Sequence, residues 1–155
     1  MSKMSVYIVI LLILGVMGFA VYVRLAPSDP AQWHVDPVAA DDPGPGGIRY
    51  VATAEGGPVP VYEVPPEELI VAFDAFAMAQ PRVTRLAGST AEGRITYIAR
   101  TKWWGFPDYI TVEALALGPD RSTLAILSRL RFGGSDLGVN RARIDAWLEA
   151  FDPLR

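Results

Sequence analysis

Twenty consecutive residues without a charge separate Lys3 from Arg24. Within them Val6–Val23 reads VYIVILLILGVMGFAVYV, apolar except for two tyrosine hydroxyls. No other segment constrains the chain as strongly. A helix of about 20 residues reaches about 30 Å, the thickness of a bilayer's hydrocarbon core. Tyr7 and Tyr22 stand near the ends of the run, at the level where amphipathic rings prefer to lie. The run predicts a transmembrane anchor over residues 1–24, with residues 5–23 inside the lipid bilayer. The rival is a cleaved signal peptide, with Gly18-Phe19-Ala20 as its small-x-small site. Val21, Tyr22 and Val23 carry the apolar stretch past that site, which favours the uncleaved anchor.

Charge orients the anchor. Lys3 and the α-amino group flank it on one side. Arg24 is the last cation before Arg49 on the other. The amino end is therefore expected in the cytoplasm and the rest of the chain outside it. Gly15 and Gly18 are three apart rather than four, so they do not make a helix-pairing motif.

Without Lys3 and Arg24, the 14 cations fall to twelve against 17 anions, a net charge of −5 for the remaining chain. That balance argues against nucleic acid, which requires a basic footprint, and gives no general attraction to anionic lipid. Cysteine is absent. Disulfides, a thiol nucleophile, Cys-type zinc sites and lipid attachment through sulfur are excluded with it. The one histidine, His34, lies ten residues past the apolar run and reads as a solvated linker residue. A Ser-His-Asp triad or a His-rich metal site has no material to build on. Lys102 is the single lysine beyond the anchor, so Schiff-base chemistry would rest on it alone. No metal site or cofactor is expected.

Residues 25–47 are rich in proline, glycine and aspartate without periodicity, which predicts a linker or extended arm with Trp33 near the membrane surface. Order is expected from residue 48 to 155. IRYVAT and VPVYEV read as short extended segments. PPEELIVAFDAFAMAQ is a helix, with prolines before its first turn, Glu67 and Glu68 at its positive end and Pro81 closing it. Leu69, Ala72, Phe73 and Phe76 make one buried stripe. Three or four strands follow, read from RVTRLAG, GRITYIART, DYITVEALAL and STLAILSRLR, with the short connections GSTAEG and GPDR carrying turn residues. Alternation puts Leu124, Ile126, Ser128 and Leu130 on one face and Leu127, Arg129 and Arg131 on the other. A last helix over residues 141–151 buries Ile144, Trp147, Leu148 and Phe151. Strands between two helices predict an α+β fold: an antiparallel sheet of four or five strands with both helices packed on one face, preceded by the single transmembrane helix.

Between the last strand and the last helix lies RFGGSDLGVNRAR. With FPD upstream, the segment SRLRFGGSDLGVNRARI resembles the signature of a bacterial family catalogued as domain of unknown function 1499. The matching residues are Ser128, Arg129, Arg131, Gly133, Ser135, Asp136, Gly138, Asn140, Arg141 and Arg143, with Phe106, Pro107 and Asp108 before them. The resemblance covers roughly residues 59–151. Leu130 and Tyr109 depart from the pattern, which more often has a small hydroxyl residue and a second acid there. The resemblance implies a fold and a class of protein, with no assigned reaction. Together with the charge bias it implies the bacterial inner membrane, with the carboxy-terminal domain in the periplasm.

The loop admits two readings. As architecture, Gly133, Gly134 and Gly138 permit positive φ. Asn140 would cap the helix, Asp136 would bond loop amides or pair with Arg141 or Arg143, and Ser135 would close a local turn. As a binding site, Arg129, Arg131, Arg141 and Arg143 with Ser135, Asp136, Asn140 and Asp108 would cradle a small anionic ligand. In the hairpin loop Arg100–Tyr109, Trp103, Trp104 and Phe106 are expected to fold back over the sheet edge. Alternatively they form an exposed patch for the membrane, a lipid or an envelope protein partner. The function expected is a membrane-anchored binding or accessory module of the cell envelope. The alternative is an envelope enzyme acting on an anionic or saccharide substrate through Asp108 or Asp136 with arginine clamps.

Overall fold

A computed structural model describes residues 2–52 and 57–153 of the chain. Thr53, the last residue of the first expected extended segment, lies outside the described residues. Helix α1 (Lys3–Leu25) runs 23 residues, and the Ser2 side chain caps its start by accepting from the Ser5 amide. The most apolar 18-residue window has a mean hydropathy of 2.7 and is 6% buried. By length and composition the helix can cross a membrane.

Five strands form one antiparallel sheet: β1 (Ile48–Tyr50), β2 (Val83–Ser89), β3 (Arg94–Arg100), β4 (Pro107–Gly118) and β5 (Arg121–Leu130). Their order is β1-β5-β4-β3-β2. Strands β2 to β5 are a meander, as short turn-rich connections dictate. β1 closes the far edge by pairing Ile48 with Ser128 and Tyr50 with Ile126. The expected segment VPVYEV is not a strand of this sheet; it bridges β5 at Tyr62–Ser122 and buries Val59, Tyr62 and Val64 in the core.

Helices α3 (Pro66–Met78) and α4 (Val139–Ala150) both pack on one face, so the α+β architecture holds. From α3, Leu69, Ile70, Phe73 and Ala77 are buried, with Ala72 and Phe76 beside them. From the last helix and its end come Ile144, Trp147 and Phe151. They meet Ile95, Tyr97, Ala99, Ile110, Val112, Leu124 and Ile126, the residues that alternation assigns to this side. Phe73 sits at the centre, with its ring 5.1 Å from that of Phe151 and 6.2 Å from that of Trp147.

The opposite face corrects the reading of residues 25–47. This segment lies across the sheet, and its short helix α2 (Pro30–Trp33) delivers Trp33 to a buried site. The indole stacks on Tyr109 at 3.8 Å, and the Arg129 guanidinium lies 4.9 Å over its ring. His34 is not a solvated linker residue. Its Nδ1 is 2.8 Å from Thr96 Oγ1, which is 2.8 Å from Thr111 Oγ1, and Thr111 donates to the Trp33 carbonyl. Gly88, at φ +81°, makes the approach possible. A Cβ there would stand 2.1 Å from the Arg94 carbonyl oxygen and 2.8 Å from the His34 ring. Polar residues on a sheet face predict solvent, but here they are the donors and acceptors that fasten the arm.

Candidate functional site

The glycine loop after β5 is built around one carboxylate. Asp136 accepts from the Gly138 amide at 3.0 Å and from the Asn140 amide at 2.5 Å, and Ser135 Oγ accepts from the Leu137 amide. Asp136 thereby ties down free amides at the start of α4, the work expected of Asn140. The helix begins at Val139 behind Gly138, whose φ of 85° requires glycine. Asn140 is fully buried instead of capping. Its Oδ1 accepts from Ser128 Oγ at 2.8 Å and from Arg143 at 2.9 Å, and its Nδ2 donates to the Gly46 carbonyl. The reason is register: Asn140 falls on the inward side of the first turn, opposite the buried Ser128 of β5.

Arg143 joins this network to β4 through a 2.9 Å ion pair with Asp108, which is 4% exposed. Burial raises the Asp108 pKa above the ordinary 3.8, more than the neighbouring Arg143 lowers it, and the charge of Asp136 adds to the rise. Asp108, Asp136, Asn140 and Arg143 therefore meet at one end of the sheet, with Ser135 beside them. The other three arginines do not join them. Arg141 donates to the Tyr50 hydroxyl at 2.8 Å, and that hydroxyl donates to Asp145. Arg129 donates to the Gln32 and Trp33 carbonyls. Arg131 donates to the Ala26 and Pro27 carbonyls and to the Tyr109 hydroxyl. Both hold the arm.

The Arg100–Tyr109 loop differs from its expected fold-back. Trp103 is 80% exposed and Trp104 47%. The backbone is what holds this loop. Arg24 donates to the Trp103 carbonyl at 2.9 Å, and Arg100 donates to the Gly105 carbonyl at 2.9 Å and to the Val23 carbonyl at 3.4 Å. These bonds fix the loop against the end of α1 and leave the Trp103 indole outside, while the half-exposed Trp104 ring lies 6.3 Å from that of Phe106. Phe106 turns toward α1. Its ring lies 6.1 Å from Phe19 of α1 and 6.0 Å from Phe132 after β5, and Phe132 meets Tyr22 at 6.0 Å.

Between this aromatic loop and the glycine loop lies a cavity of about 800 Å³. Phe19, Trp104, Phe106, Phe132, Leu137 and Val139 supply apolar walls, and Asp108 and Asp136 lie in its lining. Sequence reading missed Phe132, Leu137 and Val139, because isolated apolar residues in an irregular loop carry no periodicity. Leu137 gives one local signal. It is 95% exposed and sits at φ 55°, a left-handed conformation that leucine seldom adopts. Among the described residues no group of three or more His, Cys, Asp or Glu is placed to hold a metal ion.

A five-stranded antiparallel sheet with two helices on one face, an arm on the other and an apolar helix in front defines the class. Residues 35–151 match the model of the family described as "Protein of unknown function (DUF1499)", and the chain belongs to that family. The match takes in part of the arm as well as the sheet and α3 and α4. No curated protein and no solved structure matches the chain.

Proposed function

We propose that this protein is a single-pass membrane-anchored module of the bacterial cell envelope that binds rather than reacts, with its carboxy-terminal domain on the periplasmic side of the inner membrane. Trp103, Trp104 and Phe106 rest at the bilayer surface. One observation carries the reading: the most exposed indole of the domain belongs to a loop hydrogen-bonded to the last turn of the apolar helix. Where that helix leaves a bilayer, the indoles stand at headgroup level, the depth that tryptophan prefers. Alkaline carbonate should leave the protein in the membrane fraction, and protease added to spheroplasts should digest the domain. Release by carbonate, or protection from protease, would count against it.

A second reading, an enzyme acting on an anionic or saccharide envelope substrate, draws on Asp108 and Asp136 lining the same cavity. It is weakened by their partners, since Asp108 is paired with Arg143 and Asp136 accepts from two amides. Turnover of an envelope glycan or phosphoester that disappears in Asp108→Asn would favour it over binding.

A further inference from the structure

The apolar cavity has a neighbour of opposite character. A second cavity of about 420 Å³ lies beside it, and the two share Thr101, Lys102 and Val139 in their linings. Its other walls include Arg82, Arg100 and Arg143. Arg143 is neutralised by Asp108. Among the described residues, no carboxylate forms an ion pair with Arg82, Arg100 or Lys102. Arg82 donates through Nε to the Arg100 carbonyl, and Lys102 lies 5.2 Å over the Trp103 ring. Three cations without acidic partners thus face one cavity, in a chain whose net charge is −3.

Backbone strain falls at the same two places. Among the described residues, the non-glycine positions with positive φ are Arg82, at 61°, and Leu137, at 55°. One lines the basic cavity and the other the apolar one. Left-handed backbone is costly at such residues and tends to collect at ligand sites. Here it sets a cation and an apolar side chain at the two cavities.

From the joined cavities, their charge and their contact with the apolar helix, we infer that they form a site for one anionic phospholipid of the bilayer: its phosphate lies against Arg82, Arg100 and Lys102, and an acyl chain lies in the cavity walled by Phe19, Phe106, Phe132 and Leu137. The inference rests on the membrane-resting base proposed above and names what that base recognises. Each cavity is of ligand size, because small-molecule sites occupy about 300–1,000 Å³ with apolar walls and few polar groups. Lipid reaches the cavity without leaving the membrane, since Phe19 of α1 is part of its wall. Arginine forks match phosphate oxygens, and Lys102 adds a point charge.

The full chain, reconstituted in phosphatidylcholine nanodiscs, carries its own reporters. Trp103 and Trp104 are exposed, whereas Trp33 and Trp147 are buried. Phosphatidylglycerol with brominated chains is compared with brominated phosphatidylcholine at equal mole fraction. The anionic lipid should quench tryptophan fluorescence more strongly. The excess should fall about fivefold for each cation removed, the factor for one cation at a lipid surface. Arg82→Asn and Lys102→Gln remove charge at exposed positions, and asparagine tolerates the left-handed backbone. An unchanged near-ultraviolet circular dichroism spectrum verifies their fold. Should one variant misfold, the other carries the comparison. Glycerol phosphate, the headgroup without chains, should leave the excess intact. Equal quenching by both lipids overturns the site and leaves the membrane-resting base standing. Quenching by neither overturns both. Loss of the excess on adding glycerol phosphate overturns the lipid in favour of a soluble phosphate.

Discussion

The two faces of the sheet are buried by different means. On one, α3 and α4 lay apolar stripes over Ile95, Tyr97, Ile110, Val112, Leu124 and Ile126. On the other, an irregular arm is fastened by a threonine pair, a histidine, two arginines and one stacked indole. The first face draws on the hydrophobic effect, which needs only apolar area and tolerates imprecise geometry. The second relies on hydrogen bonds, each of small net value and dependent on geometry. A helix face should therefore hold the fold together, and the arm face should open first.

The largest test falls on the helix face. Trp147 is 7% exposed and packs edge-on to Phe73 and Phe76. Trp147→Ala should lower unfolding free energy by about 3–5 kcal/mol in denaturant titration of the detergent-solubilised chain. A loss below about 1 kcal/mol would make the two faces equivalent.

Almost as large is the effect expected at the buried charged pair Arg143–Asp108 on that face. Arg143→Met leaves Asp108 buried without its cation, at a cost of about 3–5 kcal/mol at neutral pH. Asp108 already has a raised pKa, so the folded state holds its proton more tightly than the unfolded state does. Its contribution therefore falls as pH rises from the ordinary carboxylate value through the raised one. Removing Arg143 takes away a lowering influence. The deficit of the variant should be widest at neutral pH and shrink as Asp108 takes up its proton in acid. A deficit independent of pH would mean the loss is one of packing alone.

On the arm face, Trp33→Ala should cost no more than about 3 kcal/mol, the low end for such a truncation. The loss should also be local. Hydrogen exchange would speed up at His34 and through α2 while Ile110 and Val112 stay protected. Simultaneous loss of protection in β4 would show that the arm is integral to the core.

Smallest is Asp136→Ala, which removes the acceptor for two amides at the start of α4, worth about 0.5–2 kcal/mol. Asn140→Ala should exceed it, because Ser128 and Arg143 lose a buried acceptor. Thermal shift of the two variants side by side reads the order. The reverse order would mean that the buried network around Asn140 contributes less than the amide bonds of Asp136.

Legibility followed the same division. Leu69, Phe73 and Phe76 announce α3 because a helix repeats every 3.6 residues, and the alternation of Leu124, Ile126 and Ser128 assigns them a face because strands repeat every two. Ser135, Asp136 and Gly138 were readable as a turn entering a helix. The partners of Arg129 and Arg131 were not, since main-chain carbonyls about a hundred positions away leave no trace in local spacing. Trp33 and His34 looked like linker for the same reason. Proline and aspartate around them suppress periodicity without forbidding burial.

From the sequence alone come the apolar helix, the α+β class, the antiparallel meander, the family and the exclusion of cysteine chemistry. Each of these depends on local pattern or on residue types present and absent. The tertiary structure alone decided that the arm covers the second face, that Asp136 rather than Asn140 satisfies the amides of α4, and that Arg82, Arg100 and Lys102 gather near the end of α1. Those outcomes depend on which distant backbone groups come within hydrogen-bond reach when the sheet closes, and chain order does not encode that distance.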